Sequence, residues 1–170
     1  MSGGAIIDTT NFDITIAQNL ADGGEGGGLT KLGSGTLTLP GANSYTGPTI
    51  VSNGTLAVTR SSLNGGGAIA IADGAALSVA DASSSLFTPS LTLGSATALT
   101  FNLPNGTPAA TPIVATSLTA DGDVTINITG GNFVPGTFPL IQFSSATGLG
   151  NFHLGRLPGG VSASGIGASR

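Results

Sequence analysis

Cysteine and tryptophan are absent from this 170-residue sequence, and Met and Tyr occur once each. Without thiols there is no disulfide framework and no thiolate metal site. His153 is the single imidazole, Glu25 the single glutamate and Lys31 the single lysine. So little titratable chemistry points away from an enzyme, and no cofactor or metal is expected. Charged residues make up 7% of the chain, and the four basic ones (Lys31, Arg60, Arg156, Arg170) are scattered. A nucleic-acid partner is excluded, because displacing phosphate counterions takes clustered Lys and Arg. The eight acidic residues are equally dispersed, so a net charge of −4 creates no strong steering field. No apolar run approaches the roughly 18 residues that span a bilayer as a helix, so membrane insertion by this segment is not expected. Met1-Ser2-Gly3-Gly4 lacks the basic and apolar regions of a signal peptide, and the chain reads as an excised piece.

What the sequence does have is small residues in a recurring pattern. Glycine occurs 29 times, yet 39% of residues are hydrophobic and mean hydropathy is +0.37. That is not a disordered profile. An apolar–small–apolar unit recurs as Leu37-Thr38-Leu39, Leu56-Ala57-Val58, Leu77-Ser78-Val79, Leu99-Thr100-Phe101 and Ile126-Asn127-Ile128. Alternation of period two marks a strand with one buried face. The outer positions Thr38, Ala57, Ser78, Thr100 and Asn127 are small or polar, as a wet face requires.

A second column runs ahead of the first. Leu29, Ile69, Leu91 and Leu118 each lie eight residues before Leu37, Leu77, Leu99 and Ile126, and Ile50 lies six before Leu56. Turn residues separate the columns: Gly33-Ser34-Gly35, Ser52-Asn53-Gly54, Ala72-Asp73-Gly74, Gly94-Ser95-Ala96 and Ala120-Asp121-Gly122. Asn-Gly and Asp-Gly also mark hairpins, so an antiparallel sandwich competes. The constant offset at a period near 20 residues favours a β-solenoid, in which each rung stacks like on like. Six or seven rungs at ~4.8 Å would make a rod of roughly 30 Å.

The domain organisation that follows has three parts. Residues 1–28 form a leading segment with the first rung, 29–136 the solenoid rungs, and 137–170 a more aromatic closing or capping segment. Asn102–Thr116, rich in proline, is expected to protrude as a loop. The structural core columns are Leu37, Leu39, Leu56, Val58, Leu77, Val79, Leu99, Phe101, Ile126 and Ile128, with Leu29, Ile50, Ile69, Leu91 and Leu118.

Gly33-Ser34-Gly35-Thr36-Leu37-Thr38-Leu39, then Asn43-Ser44-Tyr45-Thr46-Gly47, then Gly54-Thr55-Leu56-Ala57-Val58 form a long and specific pattern. The stretch 28–58 that holds them resembles the autotransporter-associated β-strand repeat, also called the passenger-associated transport repeat. Gly136-Thr137-Phe138-Pro139-Leu140-Ile141, Gly150-Asn151-Phe152 and Leu157-Pro158-Gly159-Gly160 are similar to segments that close such arrays. The resemblance implies a right-handed parallel β-helix in a large bacterial surface or secreted protein, with a role in presenting or exporting a passenger. It brings no catalytic residues.

Individual polar residues each have an ordinary reading and a functional one. Asp121 and Asp123 suit a solvated corner, or a calcium pair or the carboxylates of a glycan-cleaving β-helix. Asp73 and Asp81 suit turns. The Gly23–Gly28 run lacks the Lys-Ser/Thr of a phosphate loop and reads as a flexible loop. His153, between Phe152 and Leu154, reads as outward-facing. Asn43 and Tyr45 suit packing of a loop onto the coil, or a glycan-stacking ring. Asn53, Asn105 and Asn127 open glycosylation sequons that read as chance in a chain so rich in Asn and Thr. Three functions compete. The first is a structural spacer, whose partners would be copies of itself through terminal rungs. The second is an adhesin that binds a surface glycan or host protein, and the third a polysaccharide-acting enzyme.

Overall fold

The computed structural model describes residues 3–80 and 84–161. Seven coils follow one another, each giving one strand to each of two seven-stranded sheets. In chain order the coils are β1 (Ala5–Asp8) with β2 (Ile14–Thr15), β3 (Leu29–Leu32) with β4 (Thr36–Leu39), β5 (Thr49–Val51) with β6 (Thr55–Thr59), and β7 (Ile69–Ile71) with β8 (Ala76–Ala80). Then come β9 (Leu86–Leu93) with β10 (Thr97–Leu103), β11 (Ile113–Ala120) with β12 (Val124–Gly130), and β13 (Ile141–Thr147) with β14 (Phe152–Leu154). Every pairing between these strands is parallel, and each strand pairs with its counterpart one coil away. The fold is therefore an all-β solenoid. The hairpin reading fails because Asn-Gly and Asp-Gly here turn corners between sheets rather than reverse the chain.

The register makes the core columnar. Leu37 pairs with Leu56, Leu56 with Leu77, Leu77 with Leu99 and Leu99 with Ile126. Leu39, Val58, Val79, Phe101 and Ile128 stack in the same way two positions on. Each of these side chains is buried, and each large aliphatic so buried contributes about 1.5–3 kcal/mol before ordering entropy is counted. A strand alone could not bury such a face, so stability is shared between neighbouring coils.

In the other sheet one expected member is replaced. Leu29 pairs with Thr49, and Thr49 with Ile69, whereas Ile50 faces outward and is 37% exposed. The corner from Val51 to Leu56 has one residue fewer than its counterpart from Ile71 to Leu77. A shift of one residue along a strand reverses which side chains face inward. Thr49 tolerates the dry interior because its hydroxyl bonds the Tyr45 hydroxyl at 2.7 Å. Leu29, Ile69, Leu91 and Leu118 are buried.

The proline-rich loop is also shorter than the composition suggests. Leu103, Ile113 and Ala115 are fully or almost fully buried within strands, so only residues 104–112 leave the coil. Inward alternation continues through Phe101 and Leu103 until Pro104, which has no N–H to give a ladder. In β9 and β11 the buried side switches phase after Pro89 and Thr116. Each long strand thus rounds a further corner, tied in β9 by the Thr88 hydroxyl, whose one proton is shared between Ser90 O (2.7 Å) and Gly67 O (3.0 Å).

Within 137–161, β13 and β14 continue the parallel stacking as another coil. None of its strand residues is fully buried. Phe138 stacks against Phe133 with ring centroids 6.2 Å apart.

Candidate functional site

The best-organised polar region lies between β3 and β6 and reaches into the coils on either side. It is built from buried side chains that bond backbone. Asn43 is 1% exposed, on a strand-like segment that makes a parallel bridge to Leu63. Its Oδ1 accepts from Leu20 N (2.8 Å), and its Nδ2 donates to Gly41 O (3.0 Å) and Ser62 O (2.8 Å). One carboxamide therefore joins three successive coils, satisfying groups that a loop would otherwise leave unpaired.

Tyr45 lies two residues further, also buried, with Thr49 as its hydroxyl partner. Burial pushes its phenol up to about 12 from the ordinary 10.0, since the phenolate would be poorly solvated there. As the only tyrosine, it can be followed by near-ultraviolet absorbance. The folded chain is expected to titrate near pH 12 and the unfolded chain near 10. This group's contribution to stability is full below 10 and is lost as pH rises through the folded value. Tyr45→Phe leaves the Thr49 hydroxyl alone and should lower stability by about 1–2 kcal/mol, read as an earlier urea midpoint. Adding Thr49→Val should recover much of the loss.

Chain packing around Tyr45 is close. A Cβ at Gly65 would strike the Tyr45 carbonyl oxygen, and one at Gly67 the Gly47 carbonyl oxygen. Thr46 Oγ1 donates to Asp22, whose carboxylate also accepts from Gly24 N (2.9 Å) and Gly26 N (3.2 Å) and so gathers the Gly23–Gly28 run. These bonds, the Thr46 hydroxyl first, hold the Asp22 carboxyl below its ordinary range. Asp13, which accepts from Thr36 N at 2.8 Å, is lowered by the same cause. Both exposed carboxylates favour the folded state above their ordinary range, and that contribution fades as pH falls through their depressed values.

Two of the four scattered cations lie inside. Lys31 is 0% exposed, and its ammonium shares its three N–H bonds among four oxygens within reach: Thr9 Oγ1 (3.1 Å), Leu32 O (3.2 Å), Gly33 O (2.8 Å) and Asn53 O (3.0 Å). Desolvation holds its pKa below 10.5, opposed by the charge of Asp8. Arg60 is 1% exposed and bonds Ser84 O (2.7 Å) and Ala110 O (2.9 Å), pinning two later loops to the coil. Parity held the signal: Lys31 follows Leu29 by two residues and Arg60 follows Val58 by two, so both fall on the inward face.

The remaining candidates lie apart from this region and on the surface. Asp121 and Asp123 are exposed at a corner, and Asp123 Oδ1 meets His153 Nε2 at 3.2 Å. Asp73 accepts from Ser95 N at 2.8 Å, whereas Asp81 lies outside the described residues. Asn127 accepts from Arg156 N at 2.7 Å, and Asn105 is exposed on the 104–112 loop. Among the described residues no three of His, Cys, Asp and Glu gather where they could hold a metal, and no helix is long and apolar enough to cross a membrane.

Residues 29–58, which contain Lys31, Asn43, Tyr45 and Asn53, match the family described as passenger-associated-transport-repeat. The chain carries a repeat of this family. In this repeat the Asn-x-Tyr-Thr-Gly portion supplies the coil-joining Asn43 and Tyr45, and the two Gly-Thr-Leu portions supply stacked strands. The chain is also 40% identical over 55 residues to the adhesin BmaC autotransporter of Brucella suis biovar 1. That likeness covers 32% of this chain and 2% of the adhesin. No solved structure gives a significant match. The fold is a β-solenoid whose second and third coils contain the match to this repeat.

Proposed function

We propose that the segment is a non-enzymatic spacer in a protein displayed on or released from a bacterial surface. The observation that carries this reading is the unbroken parallel register through seven coils. A column of backbone hydrogen bonds along the rod resists bending and holds whatever lies beyond at a set distance. The buried polar groups support it as well: Lys31, Asn43, Tyr45 and Arg60 are all engaged with the scaffold, leaving none of them to bind or transform a substrate.

A solenoid end left without a covering strand favours pairing with another chain, so a second copy is the first partner to test. Electron microscopy of the purified chain at rising concentration separates the outcomes. Rods of constant length support the spacer, and rods that lengthen with concentration support end-to-end assembly. Compact particles of no fixed axis would overturn both.

A second reading, an adhesin module, is favoured by the outer face of the β4–β12 sheet. The register aligns Thr38, Ala57, Ser78, Thr100 and Asn127 there in a row without charge. Retention on a glycan array, lost on Thr100→Arg, would support it. The polysaccharide-enzyme reading has only Asp121 and Asp123, and turnover of an acidic glycan abolished at either would be needed to revive it.

A further inference from the structure

We propose that Asn53 is a site of self-deamidation, promoted by the corner in which it sits. Three features converge there. Asn53 is exposed to water, and the next residue is Gly54, with φ at 67°. Gly54 N already contacts the Asn53 carboxamide, donating to Oδ1 at 2.7 Å. The carbonyl oxygen of the same Asn53–Gly54 peptide accepts from the buried Lys31 ammonium at 3.0 Å. A cation on that oxygen draws electron density from the amide and makes its N–H easier to deprotonate.

The chemistry needs only water. Gly54 N forms a bond to Asn53 Cγ as its proton passes to Oδ1. The Cγ–Nδ2 bond then breaks and ammonia departs with the proton, leaving a five-membered succinimide. Water opens the ring at either carbonyl, giving aspartate or isoaspartate. The isoaspartyl product adds a methylene to the main chain at a corner already one residue tighter than its counterparts. Either product sets a carboxylate beside the Lys31 corner.

Asn105-Gly106 provides an internal reference with the same dipeptide. There Gly106 N donates to Leu103 O at 3.0 Å, so its N–H points away from the Asn105 carboxamide although Asn105 is exposed as well. The test incubates the folded chain in mildly alkaline buffer and follows both peptides by mass spectrometry and isoaspartyl methyltransferase labelling. Asn53 is expected to convert roughly tenfold faster than Asn105 when folded, because its reacting atoms are pre-placed, and within about twofold of Asn105 in guanidinium. Equal or slower conversion of Asn53 in the folded chain would overturn the proposal. So would an unchanged ratio on unfolding, which would assign the difference to local sequence alone.

Discussion

Leu99→Asp is expected to abolish the cooperative fold of the central coils. Leu99 is 1% exposed and sits in register between Leu77 and Ile126, with aliphatic side chains on both neighbouring strands. A carboxylate there is flanked by aliphatic side chains and shut off from water, so it must either stay charged in a dry column or take up a proton. Losses of about 4 kcal/mol or more follow from burying an unpaired charge where a large aliphatic stood. Because coils stabilise their neighbours, the damage should spread to β8 and β12 rather than remain local. Circular dichroism through a urea titration and hydrogen exchange along the chain would measure both effects. Thr100→Asp, one residue on and facing outward, is the control and should shift the midpoint little. An L99D chain as stable as the parent would refute the stacked dry column.

The second large effect is expected at Lys31. Lys31→Met keeps the apolar stem and removes the ammonium, leaving the Gly33 and Asn53 carbonyls and the Thr9 hydroxyl without that donor. Replacing both members of a buried charged pair by apolar groups can be neutral, but the Gly33 and Asn53 acceptors are backbone carbonyls and cannot be replaced. Removing one side therefore carries the penalty for orphaned acceptors, about 2–4 kcal/mol in all. A pH dependence accompanies it. The folded pKa lies below 10.5, so between that lowered value and 10.5 the unfolded chain holds more protons than the folded one. In the wild type this group makes stability rise with pH across that window, and K31M should remove the rise. Tyr45 acts oppositely above pH 10, so the comparison is cleanest in a Tyr45→Phe background. A K31M midpoint equal to that of the parent would show that water satisfies those carbonyls.

The strand columns were readable because period-two alternation and repeated spacing report burial directly. Leu37, Leu56, Leu77, Leu99 and Ile126 could be aligned from their neighbours alone. Ile50 could not, since composition ranks isoleucine above threonine and only the shorter corner shows that Thr49 faces inward. Lys31 and Arg60 were hidden for a related reason. A charged residue is taken as solvated unless a carbonyl cage or a distant loop is known to receive it, and Ser84 and Ala110 lie far from Arg60 in sequence. Proline near residue 104 suggested a long excursion, but Leu103 and Ile113 stay in the coil because alternation continues right up to the loop.

The sequence by itself determined the kind of architecture, the repeat, the stacked aliphatic positions and the shortage of catalytic groups. These follow from local periodicity and composition, which need no knowledge of the rest of the chain. Only the tertiary structure decided that Thr49 rather than Ile50 enters the second column, that Asn43 joins three coils, that two cations lie inside, and that Gly54 N and the Asn53 carboxamide touch. Those are matters of register between segments some 20 residues apart, and register is set by the summed packing of whole coils rather than by any one of them.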